Sequence, residues 1–182
     1  MSLSRALRGA PVAGIEWPLN GRAGAVTRSV SVAADDIAAL VPELLAAARH
    51  LTRNEHDARD VVQSTVELGL RHFKDLRDPD RLRPWLFAIE AHEASRWRRR
   101  FRDALPLGTT DVAQPGTERD PRSIALRVAI DALPRQQRLA VVLHHLVGLS
   151  VDESAAAMHV TGNTIKTHLR LGLQALREAL ND

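Results

Sequence analysis

The sequence predicts an all-α protein made of two small helical domains joined by a flexible linker. Hydrophobic residues make up 45% of the chain but aromatic residues only 3%, so the cores must be built from aliphatic side chains, which suit helices. Apolar residues recur at helical spacing on both sides of an aperiodic central stretch. The predicted divisions are an N-terminal extension at 1–34, a first domain at 35–102, a linker at 103–122 and a second domain at 123–182.

The first domain is expected to open with two helices. The extension before it is rich in Gly, Ala, Ser and Arg and has no apolar period, which predicts a flexible segment. A helical stripe begins near Asp35, and Pro42 interrupts it, so we expect a bend with a new helix starting at the proline. Asn54 is placed to cap the next helix. The predicted inner face of that helix holds Ala58, Val61, Val62, Thr65 and Leu68 or Gly69, and its outer face holds Asp57, Arg59, Asp60, Gln63 and Glu67.

A loop and a long basic helix complete the first domain. Pro79 lies between two aspartates, which predicts a loop over residues 74–83 and a helix from Pro84. The side chains of Trp85, Leu86 and Ile89 share one face and should anchor this helix in the core. The arginines at its end wrap around the helix, which favours contact with a nucleic-acid backbone over base readout. They are Arg96, Arg98, Arg99, Arg100 and Arg102.

The second domain is expected to begin with two helices. Ser123 is placed to cap the first, which should run to Leu133 with Leu126, Ile130 and Leu133 directed inward. The second should have Pro134 at its first position and stop at Gly148. Its predicted core residues are Leu139, Val142, Leu143 and Leu146.

Residues 149–180 predict a helix-turn-helix. Ser150 and Glu153 form a capping box for a helix over Val151–Met158, and Thr161 can cap a second helix that opens at Gly162. The apolar side of the second helix comprises Ile165, Leu169, Gly172, Leu173 and Leu176. Its early turns offer groups that can read base edges and hold phosphates in a major groove. The predicted DNA contacts there are Thr161, Asn163, Thr164, Lys166, Thr167 and Arg170.

Three segments carry a resemblance to a known family. Leu133-Pro134, Gln137-Arg138, Gly148-Leu149-Ser150, Glu153, Ala156, Thr164-Ile165-Lys166 and Leu176-Arg177 resemble region four of bacterial sigma factors. Residues 57–66, Asp-Ala-Arg-Asp-Val-Val-Gln-Ser-Thr-Val, resemble region two. The segment Pro84-Trp85-Leu86-Phe87-Ala88-Ile89 strengthens this second resemblance. With only these two regions, the chain resembles the extracytoplasmic-function (ECF) sigma factors.

The resemblance implies a non-enzymatic sigma factor that directs core RNA polymerase to specific promoters and assists promoter melting. It implies that Asp57, Asp60, Val61, Gln63 and Ser64 bind the clamp helices of the largest polymerase subunit. The flap of the second subunit and promoter DNA are the other implied partners, and an anti-sigma protein is left open as a further one. The implied contacts to the downstream promoter element and the melted strand are Lys74, Arg77, Arg83, His92, Arg96, Arg98, Arg99 and Arg100.

The chain departs from the family pattern at two places. Arg59 and Ser64 replace acidic residues, so the polymerase contact should be less acidic than usual. Residues 90–92 are Glu-Ala-His where the family has Ala-Arg-Asn. Ala91 can neither hold phosphate nor pair with a base, and Glu90 would repel phosphate if it faced the separated strand. We therefore expect weak strand opening.

Other classes of function are less well supported. No histidine pair has metal-ligand spacing, and no phosphate-binding loop or nucleophile motif occurs, so we expect no cofactor, no metal and no catalysis. The chain has no cysteine and no apolar run typical of a signal peptide or membrane span, which favours the cytoplasm. An autonomous helix-turn-helix regulator is the alternative, because residues 164–169 also resemble the output domain of response regulators. Such a protein would need an α/β receiver domain, whereas residues 35–102 show only helical periods.

Charge predicts how tightly the isolated protein binds DNA. The first domain has thirteen basic and twelve acidic residues, and the second has six and five. Affinity for DNA depends on the number of phosphates that basic side chains neutralise, so domains this nearly balanced should bind weakly alone.

Overall fold

The structure is a computed structural model that describes residues 30–52, 54–76, 78–102 and 121–181, and these residues form helices and turns without strands. The all-α prediction is confirmed. The helices are α1 (Val30–Leu51), α2 (Glu55–His72), α3 (Leu82–Arg102), α4 (Pro121–Ala132), α5 (Arg135–Val141), α6 (Val151–Met158) and α7 (Gly162–Asn181). Most of the predicted extension and linker lies outside the described residues.

Helix α1 is continuous, so the predicted helix start at Pro42 is wrong. The helix runs from Val30 to Leu51 with Pro42 inside it. A proline removes one amide donor from the helical ladder but leaves the other hydrogen bonds available. Burial of Ile37 before the proline and of Leu44 after it holds both halves of the helix on one core.

Helix α2 begins at the predicted cap and packs closely on α3. Asn54 Oδ1 accepts a hydrogen bond from the Asp57 amide at 2.9 Å. The predicted inner residues Ala58, Val61, Val62, Thr65 and Gly69 are buried. A Cβ atom on Gly69 would lie 2.7 Å from Leu86 Cδ2, so any larger residue at this position would force the Leu86 side chain to shift.

Helix α3 starts at Leu82, two residues before the predicted Pro84. Short 3-10 turns at Phe73–Asp75 and Pro79–Arg81 occupy much of the predicted loop. Asp78 caps the second turn by accepting a hydrogen bond from the Asp80 amide at 3.1 Å. Leu86 and Ile89 are buried as expected, and Trp85 is partly buried against the same core.

In the second domain, helix α4 begins at Pro121 rather than at Ser123. Ile130 and Leu133 are buried as predicted, whereas Leu126 is 39% exposed, which corrects its assignment to the core. Residues 122–126 are all exposed. The first half of α4 therefore extends beyond the helices on which its second half packs.

Helix α5 begins at Arg135 with Pro134 as the preceding cap residue, and it passes into a π-helical turn at Val142–Leu146. The wider turn changes the phase of the chain by about one residue. Leu146, predicted in the core, is consequently 48% exposed, and Val147 is buried in its place. Gly148 ends the segment with a φ of 81°, as predicted for a helix stop.

The two groups of helices, α1–α3 and α4–α7, pack against each other. Helix α3 contacts α6, and α1 contacts α4, α5 and the π-helical turn. The buried residues of both groups form one apolar cluster. Within the described ranges, none of the helices combines the length and apolar character needed to cross a membrane.

Candidate nucleic-acid and polymerase interface

The helix-turn-helix has caps at both helix starts, as its sequence predicted. The Glu153 amide donates to Ser150 Oγ at 3.1 Å, and the Ser150 amide donates to Glu153 Oε2 at 2.9 Å. His159 ends α6 in the left-handed conformation, with a φ of 53°. The Thr164 amide then donates to Thr161 Oγ1 at 3.3 Å, so the turn fixes the direction of α7 relative to α6.

Helix α7 packs on α5 through the predicted apolar face. Ile165, Leu169, Gly172 and Leu176 are buried, and Leu173 is partly buried. A Cβ atom on Gly172 would lie 2.9 Å from Val141 Cγ2, which shows how closely α7 approaches α5. This contact holds the opposite side of α7 outward.

The predicted DNA contacts of α7 lie on its outer side. Asn163, Lys166, Thr167 and Arg170 are exposed, as is Thr161, while Thr164 is half-buried. The hydroxyls of Thr161 and Thr164 lie 2.9 Å apart, and the Thr167 hydroxyl donates to the Asn163 carbonyl at 3.0 Å. The charged heads of Lys166 and Arg170 and the amide of Asn163 are thus presented on a helix fixed by the core.

The predicted downstream contacts fall into two groups. Lys74 is exposed on the first 3-10 turn. Along the second half of α3, Arg99 is exposed and Arg96 pairs with Glu93 at 3.6 Å. His92 lies near these arginines and near His159 of α6. Partial desolvation of its ring, together with the neighbouring Arg99, His159 and Arg96, lowers the pKa of His92, although much of the side chain is exposed. Arg77 and the side chain of Arg100 lie outside the described residues.

Arg83 and Arg98 face the second domain. The guanidinium of Arg83 pairs with Glu43 at 2.8 Å, donates to the Val147 carbonyl and lies 5.4 Å from the ring centre of Phe87. Arg98 lines a cleft between α3 and α5 together with Arg135 and Arg138. Both side chains are therefore only partly exposed.

The predicted polymerase contacts on α2 are divided between surface and core. Asp60 is exposed and pairs with His56 at 3.2 Å, and Gln63 is exposed and donates to Glu67 at 3.0 Å. Ser64 is half-buried. Two expectations need correction, because Asp57 is only 8% exposed rather than on the outer face, and Val61 is only 2% exposed.

The two corrections have different causes. Asp57 lies in the first turn of α2, which is held against the end of α1 by the ion pair of Arg49 with Glu55 at 2.7 Å. Val61 belongs to the inner stripe of α2. Val61 can therefore support the predicted polymerase-binding surface from below but cannot form part of it.

Glu90 does not face a DNA strand, which corrects that expectation. Its side chain is fully buried, and neither carboxylate oxygen has a hydrogen-bond partner among the residues that the structure describes. Burial raises the pKa of Glu90 well above its ordinary value. Ala91 is also buried, at 2% exposure, in the cleft that Arg98 lines, whereas His92 is exposed.

No cluster of three or more His, Cys, Asp or Glu side chains that could hold a metal ion occurs among the residues that the structure describes. His144 and His145 are adjacent, with ring centres 4.8 Å apart, and His144 Nδ1 lies 2.6 Å from the Leu149 carbonyl oxygen. The His144 ring is thus engaged with the backbone at the end of the π-helical turn.

Family models match both groups of helices. Residues 37–103 match sigma-70 region 2, and residues 123–176 match sigma-70 region 4. The ECF RNA polymerase sigma factor EcfG of Rhodopseudomonas palustris is 33% identical over 140 residues, which cover 74% of this chain and 77% of that protein. The ECF RNA polymerase sigma factor SigE of Mycolicibacterium smegmatis is 33% identical over 147 residues, which cover 73% of this chain and 55% of that protein.

Solved structures share the fold. The sigma factor RpoE from Bartonella quintana, in complex with the anti-sigma factor NepR, superposes with a TM-score of 0.71 at 25% identity and covers 81% of this chain and 95% of its own. CnrH, in complex with the cytosolic domain of CnrY, has a TM-score of 0.61 at 24% identity and covers 84% of this chain and 94% of its own. The likeness to CnrH is one of fold.

Proposed function

The chain belongs to the ECF RNA polymerase sigma factors, and from that premise we propose how its two domains divide the work of promoter recognition. The protein directs RNA polymerase to promoters in transcription initiation. Sigma factors are initiation factors and not catalysts. The role proposed for each residue is supported by the exposure and chemistry of its side chain and by its position in the fold.

Helix α7 reads the upstream promoter element. The observation that carries this assignment is the row of exposed donors, Asn163, Lys166, Thr167 and Arg170, on a helix whose opposite side is buried. The N-terminal turns of the second helix of a helix-turn-helix enter the major groove, where such groups pair with base edges. Thr161 and Thr164 lie where the helix starts, at a position suited to phosphate contact.

The second half of α3 and the turn at Lys74 hold the downstream element and the opened strand. On the second half of α3, Arg99 is exposed and Arg96 is partly exposed, with His92 beside them. Guanidinium groups on different sides of a helix suit the phosphates of a single strand better than the edges of particular bases. Arg83, Arg98, Arg77 and Arg100 are assigned to the same role.

Helix α2 supplies the contact to the clamp helices of the largest polymerase subunit. Asp60, Gln63 and Ser64 are the members of the expected set that reach the surface. Asp57 and Val61 are buried and support the helix from its inner side. The second domain meets the flap of the second subunit. The protein acts in the cytoplasm with the polymerase, and an anti-sigma protein is a further partner, as the relative from Bartonella quintana was solved with one.

Reconstitution with core RNA polymerase tests the proposal. The protein should be retained on immobilised core polymerase, and the mixture should give run-off transcripts from a discrete set of genomic fragments. Asp60→Arg should reduce retention because it reverses a surface charge at the proposed clamp contact, whereas Asp35→Arg, an equal change at an exposed position of α1, should not. Tight, sequence-specific DNA binding by the protein alone, with no effect on transcription by core polymerase, would favour an autonomous regulator.

A further inference from the structure

We propose that the cleft between α3 and α5 is a binding site for a small phosphate-bearing anion, with a diphosphate group as the unit that it recognises. Arg98 and Ser95 of α3 line one wall, and Arg135 and Arg138 of α5 line the other. Guanidinium groups on two sides of a cleft suit a ligand with several acceptor oxygens, and phosphate matches their geometry. The inference goes beyond the proposed function, because it concerns the free protein and a soluble ligand.

Arg138 is the anchor of the proposed site. The residue is only 9% exposed. One end of its guanidinium donates to the backbone carbonyls of Asp131 and Leu133, the second at 3.2 Å. Its Nε is buried and has no hydrogen-bond partner within the described part of the chain. A buried cationic donor without an acceptor is costly, and a ligand oxygen in the cleft that Arg138 lines would supply the missing acceptor.

Positive charge around the cleft is only partly neutralised. The carboxylate of Asp131 lies 4.0 Å from Arg138 and 3.9 Å from Arg127, so it serves two arginines at distances too long for hydrogen bonds. Burial lowers the pKa of Arg138 and that of Arg135, and the neighbouring Arg99 lowers the pKa of Arg135 further. An anion in the cleft would offset this repulsion between cations.

His50 senses the same cations from the end of α1. Its Nδ1 is buried without a hydrogen-bond partner among the described residues, and so is Asp131 Oδ1. Burial lowers the pKa of His50, and Arg127, Arg138 and Arg49 lower it further, while Asp131 opposes them. A bound anion would counteract these arginines and raise the pKa of His50. An anion bound elsewhere on the surface would not have this effect.

The cleft suits a small ligand better than a nucleic-acid strand. A strand that runs along the surface of α3 could reach Arg98, but Arg138 is buried between helices. Apolar side chains that line the cleft exclude water, which strengthens contacts between guanidinium and phosphate. They are Leu51, Ala91, Ala94 and Leu139, all buried. A diphosphate carries oxygens on two phosphorus atoms and can therefore contact both walls at once, whereas a single phosphate would contact fewer of the arginines.

Isothermal titration calorimetry of the full-length protein at constant ionic strength tests the site, with pyrophosphate, inorganic phosphate and ADP as probes. Pyrophosphate should bind saturably at one site, and inorganic phosphate more weakly. Arg98→Gln and Arg135→Gln should each weaken pyrophosphate binding by about tenfold or more, because each removes a charge-assisted contact. Both variants keep the buried Arg138. Arg71→Gln, an equal change at an exposed position of α2, is the matched control and should bind like the wild type.

The ADP titration separates two sources of the same chemistry. ADP that binds as tightly as pyrophosphate, or more tightly, would extend the ligand class to nucleotides. ADP that does not bind would restrict it to the inorganic anion.

Nuclear magnetic resonance of the histidine ring signals locates the bound anion. The pKa of His50 should be higher in saturating pyrophosphate than in its absence. Arg135→Gln should abolish this rise, whereas Arg71→Gln should retain it.

Three results would overturn the site. They are pyrophosphate binding that Arg71→Gln weakens as much as Arg135→Gln does, a His50 pKa that saturating pyrophosphate leaves unchanged, and binding of a short single-stranded oligonucleotide without binding of pyrophosphate. The last result would assign Arg98 to a DNA surface alone. None of these measurements involves polymerase, so the proposed function would stand if the site failed.

Discussion

The guanidinium of Arg81 lies 3.2 Å from the carboxylate of Glu153, and that carboxylate also accepts the amide of Ser150 at the start of α6. One side chain therefore completes the cap of the helix-turn-helix and connects it to the first domain. Because the cap already orients the Glu153 side chain, forming the inter-domain contact costs less side-chain conformational entropy than pairing two unrestrained surface charges.

Reversing the charge of Arg81 should open the free protein. Arg81→Glu replaces an attraction that is worth roughly 0.2–1 kcal/mol at a half-exposed site by a repulsion of similar size. Spin labels on Ala38→Cys and Gln174→Cys, both exposed, would report the distance between the domains by double electron–electron resonance. We expect a broader and longer distance distribution. Arg71→Glu, an equal change at an exposed position of α2, serves as the control.

Enlarging Ala91 should also open the protein. Overpacking a buried position costs about 1–3 kcal/mol, and here the larger side chain would crowd the cleft in which α3 packs on α5. A short bismaleimide should join Arg81→Cys to Glu153→Cys, which replace the two sides of one ion pair between the domains, and Ala91→Leu and Ala91→Arg should both reduce the yield of that cross-link. Permanganate footprinting of the holoenzyme should show more open complex for Ala91→Arg, and most for Ala91→Arg with His92→Asn, because these side chains can hold phosphate and pair with a base edge. Equal or reduced opening in the double variant would mean that other residues carry the melting.

Removing the Arg170 side chain should weaken promoter recognition. Arg170→Ala should cost about 1–3 kcal/mol of promoter affinity in the holoenzyme if the guanidinium contacts a base. Retention on core polymerase should not change, because Arg170 lies on the outer side of α7. Arg177→Ala, an exposed arginine two turns further along α7, is the control and should have little effect. Equal promoter affinity for both variants would contradict the assignment.

Replacing the buried carboxyl of Glu90 should stabilise the protein. Burial raises the pKa of Glu90, so the folded state binds a proton that the unfolded state releases, and stability from this group falls as the pH rises above the ordinary carboxyl range. Glu90→Leu should raise the free energy of unfolding by about 1–3 kcal/mol near neutral pH, with a smaller gain at acidic pH. Thermal unfolding from about pH 5 to about pH 8 measures the difference. A gain that did not depend on pH would argue against ionisation as its cause.

The features that sequence could predict were the local ones. The caps at Asn54, Ser150 and Thr161 each depend on two residues three positions apart, and each formed as expected. The positions of Glu90 and Leu146 could not be predicted in the same way. A helical wheel predicts burial only from the angular position of a residue around its helix. The burial of Glu90 depends on the helices that pack around it, and the exposure of Leu146 depends on the extra residue in the π-helical turn. The contact of Arg81 with Glu153 joins exposed charges 72 residues apart, and such pairs leave no periodic signal.

The π-helical turn determines, to within one residue, which backbone carbonyl of the second domain lies opposite Arg83 of the first. One residue of a helix corresponds to a rotation of about 100° and a rise of about 1.5 Å. Deleting one residue within 142–146 would let the segment return to an ordinary helical repeat, bring Leu146 back toward the interior and carry the Val147 carbonyl out of reach of Arg83. The number of residues in the turn thus fixes where Val147 lies relative to Arg83. A chain shortened there could keep a folded second domain and yet no longer pack on the first.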